Sequence, residues 1–231
     1  GARRWVGGGG GVRALGSCAC GLFGDGLPVI RGTHVAYRGE MGYAGDRVVE
    51  PGGVTVAMLE TTIVAKPSGQ ITDAQRDLLR DLSATDDIPV FVLGHHPQWT
   101  SGEHSADYFG INPDDSERLS ALIAERPAIV AYAAGHTHRH RVRTLASGVP
   151  TIEVGCVKDF PGTWAEYRVY ESAILQAIHR ISTPAALQWS EQCRQLYADC
   201  GVDYTAYAMG TLEDGGRSVR RRGSRRYGGC G

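Results

Sequence analysis

The chain has 231 residues, 42% of them hydrophobic, with 24 basic and 25 acidic side chains. That length suits one domain with extensions, and that apolar content supports a real core, which excludes a chain without a fold. No apolar run approaches the ~20 residues that span a bilayer, and six scattered cysteines without a Cys-x-x-Cys spacing exclude a disulfide scaffold and point to free thiols in a reducing, cytoplasmic compartment. The charge is uneven: residues 215–231 hold six arginines and no acid, so the rest of the chain carries 18 basic against 25 acidic side chains.

Residues 1–26 form a low-complexity lead-in rich in glycine and arginine. Its pentaglycine at Gly7 to Gly11 and its lack of helical or strand period predict flexible chain. No hydrophobic region follows the arginines, so it does not read as a signal peptide. Cys18 and Cys20 have no partner motif and read as free thiols.

From Leu27 the sequence becomes orderly. Residues 27–31 predict a short strand leading into Gly32-Thr33-His34. Residues 46–50 predict another, followed by a turn at Pro51-Gly52-Gly53, and 54–62 a third. Glu60 near its end reads either as an acceptor for a ligating histidine or as a solvated strand-end carboxylate. Thr72 with Gln75 three residues later is a capping box, and the following helix presents Ala74, Leu78, Leu79 and Leu82 on one face. A buried strand at 88–93 then delivers Gly94-His95-His96-Pro97. Residues 98–112 form a long polar loop in which His104 reads as a surface residue.

A helix over 116–125 turns Leu119, Leu122 and Ile123 inward, and a small-residue strand at 128–133 ends at Gly135. Histidines follow at alternate positions: His136, His138 and His140. Strands at 140–144 and 151–154 and a hairpin of 164–170 with 174–181 complete the body, with His179 on a strand face. Thr183-Pro184 opens a helix that buries Ala186, Leu187, Cys193, Leu196 and Tyr197. Residues 202–209 predict a last short helix. The domain organisation is therefore a lead-in at 1–26, a body at 27–181, a helical extension at 182–214 and a disordered basic tail at 215–231. The tail's arginines offer either a weak electrostatic contact to nucleic acid or a solvated terminus.

Three strand-to-loop junctions deliver histidine. In open α/β sheets the carboxyl ends of strands are where ligands bind, and neutral imidazole is the commonest transition-metal ligand. For a single His-x-His, a solvated polar turn explains the pattern equally well. Three junctions with the same grammar point to a metal site.

Gly135-His136-Thr137-His138, His95 two residues before Pro97, and Gly32-Thr33-His34 resemble the later motifs of the calcineurin-like metallophosphoesterases. The resemblance covers residues 27–159, the later part of such a domain, so the expectation is an α/β sandwich of two mixed sheets flanked by helices, lacking its N-terminal part. It implies metal-dependent hydrolysis of phosphoesters with two divalent ions, manganese, iron or zinc. His95 and His136 would bind one ion and His138 the other. Thr33 stands where the family has a ligating asparagine, His34 where it has a general acid, and His96 near a phosphoryl oxygen of the substrate. Val35 replaces the usual acid, and neither Asp-x-His nor Gly-Asp-x-x-Asp occurs upstream. The ligand count therefore predicts one tightly bound ion at most and weak turnover. The alternative is a non-catalytic relative, a binding or scaffold module with a residual metal site. The implied partner is a phosphoester; no membrane contact and no particular oligomer is indicated.

Overall fold

A computed structural model describes residues 3–7, 45–64, 66–98, 109–211 and 216–220. The elements in chain order begin with strands β1 (Arg3–Gly7), β2 (Arg47–Val49) and β3 (Thr55–Met58), then helix α1 (Asp73–Leu82) and strand β4 (Val90–Leu93). Helix α2 (Pro113–Glu125) leads to strands β5 (Ile129–Ala134), β6 (Arg141–Thr144), β7 (Pro150–Glu153), β8 (Thr163–Val169) and β9 (Ala173–Arg180). Helices α3 (Pro184–Gln192) and α4 (Tyr204–Met209) follow, and β10 (Gly216–Arg220) comes last.

Two sheets form a sandwich. The larger has the order β2-β3-β4-β5-β7-β6 and is mixed: β3, β4, β5 and β7 run parallel, while β2 and β6 close its edges antiparallel. The smaller has the order β1-β8-β9-β10, and all its pairings are antiparallel. The expected α/β sandwich is therefore present, with the mixed character confined to the six-stranded sheet.

Side-chain alternation along the parallel strands fills two layers. Val56, Met58, Phe91, Ala133 and Ile152 face the smaller sheet and meet Ala165, Tyr167 and Ile174. Ala57, Val90, Val92, Ile129 and Tyr132 face the helices and meet Leu79, Leu119, Leu122 and Ile123. The parity changes once. The pairing of β4 with β5 skips Val130, which places Val130 and Ala131 together on the inter-sheet side and returns Tyr132 to the helix side.

Helix α1 starts as the sequence predicts, with both bonds of the Thr72/Gln75 capping box formed. Its buried face differs from the expected one. Ala74 is exposed, while Gln75 and Arg76 are buried. Gln75 Nε2 donates to the Glu60 carbonyl at 2.9 Å, and Arg76 bridges to Asp115 at the start of α2 at 3.1 Å. Polar bonds across the layer thus replace an apolar contact. In the C-terminal region α3 ends at Gln192, and Tyr197, expected inside, is 59% exposed because the chain turns there through a left-handed residue.

The ends of the chain depart from the sequence expectation of irregular structure. Arg3–Gly7 pairs with β8 and Gly216–Arg220 with β9. Strands β8 and β9 would otherwise leave open edges, and main-chain bonding at an edge does not need the apolar period that the sequence lacks there.

Candidate metal centre

All four parallel strands end at one edge of the six-stranded sheet. There β3 is followed by Thr61, β4 by His95 and His96, β5 by His136 and His138, and β7 by Cys156 and Asp159. The ladder continues past the strands: Gly94 N–H donates to the Ala133 carbonyl at 2.9 Å, Gly135 N–H to His95 at 3.1 Å, and Val154 N–H to Ala134 at 2.9 Å. These bonds tie each loop to its neighbour before the chain diverges, so the side chains are held by the sheet itself.

His95 and His136 meet here. His95 Nε2 lies 3.0 Å from His136 Nδ1, with the rings at a steep angle. Together with His96 they offer one ring nitrogen each, all within 4.8 Å of one another. Two nitrogen lone pairs cannot face each other at that distance, so one ring donates a proton to the other in the ion-free chain.

His96 is completely enclosed. A Cβ on Gly69 would come within 2.5 Å of its ring, and a Cβ on Gly94 within 2.1 Å of the Tyr132 hydroxyl, which donates to the His96 carbonyl at 2.7 Å. Neither glycine position has room for a side chain. Burial, and then the charge of a protonated His136, push the His96 ring down to about 3, so it is neutral at ordinary pH. The sequence placed His96 near a phosphoryl oxygen; the enclosed ring has no face open to a substrate, because the loop at Gly69 closes over it.

Thr61, which the sequence did not single out, sets the His96 tautomer. Its Oγ1 accepts the amides of His95 at 3.3 Å and His96 at 3.2 Å and lies 2.8 Å from His96 Nδ1. With both lone pairs engaged, the hydroxyl proton points at Nδ1 and the ring proton sits on Nε2, with the Pro67 backbone beside the ring. A tetrahedral zinc with nitrogens at ~2.0–2.1 Å spaces them about 3.3 Å apart, so the pair at 3.0 Å opens only slightly to admit an ion. The donor set fits a transition-metal ion.

His138 belongs to a second group with Cys156 and Asp159. Its Nδ1 lies 2.7 Å from Asp159 Oδ2, and Cys156 Sγ donates to Asp159 Oδ1 at 2.8 Å. Burial alone would raise the Asp159 carboxyl, but the bonds from His138 and Cys156 outweigh it and hold the group below its ordinary value. Burial, reinforced by the bond to Asp159 and its charge, pushes the Cys156 thiol up to about 12. Burial and the Asp159 charge also raise the Tyr204 phenol. The sequence missed both Cys156 and Asp159, although the strand-to-loop grammar that found the histidines repeats at Val154-Gly155-Cys156.

The loop that carries His136 and His138 is strained and braced. Both residues sit in the left-handed region, at φ 65° and 58°, which costs a non-glycine residue about 1–2 kcal/mol. Buried Glu153 accepts from Thr137 Oγ1 at 2.7 Å, Arg139 Nε at 2.8 Å and Arg141 Nε at 2.6 Å. The Tyr207 hydroxyl donates to the Thr137 carbonyl at 3.0 Å. His140 points the other way. Gly155 N–H donates to its Nδ1 at 3.3 Å, so its Nε2–H donates to Thr163 Oγ1 at 2.7 Å. His179 stacks on Trp164 at 4.4 Å and bonds to Glu166, away from either ligand group. Glu60 accepts from the Thr62 amide at 3.2 Å. Thr33, His34 and His104 lie outside the described residues.

No protein-family model matches the chain, and no curated protein matches it. Solved structures give partial likenesses. A dimetal phosphatase from Danio rerio aligns with 48% of this chain at 20% identity and a TM-score of 0.40. A purple acid phosphatase from seeds of yellow lupin (Lupinus luteus) aligns with 58% of this chain at 13% identity and a TM-score of 0.43. The aligned part spans about a third of those structures, 36% and 30% of their lengths.

Proposed function

We propose that the chain is a metal-dependent hydrolase of phosphoesters, with His95, His136 and His138 as ligands at the carboxyl edge of the parallel strands. The observation that carries this reading is the approach of His95 Nε2 to His136 Nδ1 at 3.0 Å, from loops that leave adjacent parallel strands. Side chains 41 residues apart in sequence are brought together at the edge where α/β sheets bind ligands.

Bound at such an edge, a divalent ion polarises a phosphoryl oxygen and makes a water acidic enough to supply hydroxide near neutral pH. The chain's own residues prepare the place. Thr61 fixes the backbone and tautomer of the His95-His96 turn, and Glu153 holds the His136–His138 loop in its left-handed form. Asp159 meets the His138 ring at Nδ1 and sets its orientation. Manganese, iron and zinc all suit imidazole donors. Free thiols at Cys156, Cys193 and Cys200 accord with a cytoplasmic setting. Among the described residues no helix is long and apolar enough to cross a membrane.

A second reading, a module that binds an ion without turnover, draws on the sequence: no Asp-x-His or Gly-Asp-x-x-Asp precedes these motifs, and Thr33 and Val35 depart from the family pattern. One experiment separates the two. The purified chain is analysed for metal and assayed with an aryl phosphodiester and an aryl phosphomonoester, with manganese or zinc added. Hydrolysis reduced about 10²–10³-fold by His136→Ala supports the phosphoesterase. Bound metal with no turnover supports the module, and turnover indifferent to His136→Ala removes this edge from the reaction.

A further inference from the structure

We propose that His138, Cys156 and Asp159 form a site for a thiolate-bound divalent ion, with zinc as its occupant. The proposal rests on the metal-centre reading of this edge and specifies what the second position is made of. Its closing experiment reads metal ligation separately from turnover.

The three residues offer a nitrogen, a sulfur and a carboxylate oxygen within 4.8 Å of one another. Those are the three donor types that zinc accepts, and three protein donors leave a fourth tetrahedral position open. They come from neighbouring parallel strands, His138 from the loop after β5 and the other two from the loop after β7. Cys156 is 1% and Asp159 4% exposed, so both are held by their surroundings. The Asp159 carbonyl accepts from Ser190 Oγ at 3.4 Å, which anchors the β7 loop to α3. Glu153 and Tyr207 fix the residues on either side of His138.

Charge separates this group from its neighbour. A thiolate and a carboxylate neutralise a dication, which neutral imidazole donors by themselves do not. Thiolate also favours softer ions over manganese or magnesium. Without the ion, Cys156 is the donor and Asp159 the acceptor at 2.8 Å. With bonds of ~2.3 Å to sulfur and ~2.0–2.2 Å to oxygen, zinc spaces those atoms about 3.5 Å apart. The loop opens by less than an ångström, and the thiol proton passes to solvent as the metal–sulfur bond forms.

Cobalt(II) tests this on the full chain. Tetrahedral cobalt bound by thiolate shows a sulfur-to-metal charge-transfer band in the near ultraviolet. The expected result is that band in the unaltered chain, its loss in Cys156→Ser, and a cobalt affinity at least about tenfold weaker in Asp159→Asn. Absence of the band at saturating cobalt overturns the site without any variant. Persistence of the band in Cys156→Ser overturns it by placing the thiolate elsewhere. If the serine variant does not fold, alkylation of the unaltered chain assigns the thiol. Labelling is run in mild denaturant, where buried Cys156 is reached by local opening: cobalt slowing Cys156 but not Cys193 or Cys200 supports the proposal, and Cys156 labelling at an unchanged rate with cobalt overturns it. Turnover with manganese is measured on the same preparations. A band without hydrolysis keeps this site and sinks the phosphoesterase, and hydrolysis without a band does the reverse.

Discussion

The loops leaving β4 and β5 bring three imidazoles together, those of His95, His96 and His136, whereas His138 and Cys156 meet at the Asp159 carboxylate. The two groups share a loop and a sheet edge but differ in how they are held. The first is closed from behind: His96 is sealed under Gly69 and held neutral by its burial. The second satisfies its polar atoms internally through Asp159. A buried ring held neutral and a buried hydrogen-bonded carboxylate respond to acid in different pH windows. The lesson is that neighbouring residues of one Gly-His-x-His motif can be delivered into unlike chemical surroundings.

Three outcomes sharpen or break that contrast, the largest first. Glu153→Gln removes the carboxylate that collects Thr137, Arg139 and Arg141, side chains that belong to the shared loop. Removing one partner of a buried ion pair costs about 3–5 kcal/mol, so a denaturant titration should show a loss of about that size. Metal affinity of both groups should fall together, since both rest on the loop. A loss below 1 kcal/mol would mean that Glu153 braces neither.

The second concerns acid. The His96 ring drops from 6.5 unfolded to about 3 folded, because burial and the His136 charge disfavour the imidazolium. Between those values the unfolded chain binds more protons than the folded one, so stability rises with pH across that window and falls on acidification. The effect is of order a few kcal/mol for a shift of this size. Asp159 is held below the ordinary aspartate value of 3.8, so its contribution is present above that pH and disappears only as pH falls through the folded value. The metal-free chain should therefore lose melting temperature from pH 6.5 downward, and His96→Gln should flatten that upper window while leaving the steep loss below pH 4. Identical pH profiles for both proteins would show that His96 is not held neutral.

The smallest effect tests the seal. The Cβ of Gly69→Ala meets three atoms of His96 within 2.8 Å. Overpacking of that kind costs about 1–3 kcal/mol, and the ring must shift away from His95 and His136. Thermal melts and cobalt titration should show lower stability and weaker binding at the first group, with the thiolate band of the second unchanged. Equal weakening at both would mean the groups are one mechanical unit.

The sequence by itself determined the local grammar. Short runs of small and β-branched residues ending in glycine and histidine are strands that exit into loops, and this identified β4 and β5 and singled out His95, His136 and His138 at their ends. The Thr72/Gln75 pair fixed the start of α1, because a capping box is completed within four residues. The alternation of apolar with helical segments fixed the α/β class. What the tertiary structure decided are pairings between residues far apart in the chain. Strand β7, not the intervening β6, lies beside β5, and that order alone places Asp159, 21 residues away, on His138. The same order turns His140 inward to Thr163. Thr61 reaches His96 because β3 and β4 are parallel neighbours, and Gly69 seals that histidine through a loop whose sequence gives no sign of it. Local patterns report how a residue sits relative to its own backbone. Which strand lies next to it is settled by burial summed over both core layers, so the chemistry of each histidine was fixed only when the sheet was assembled.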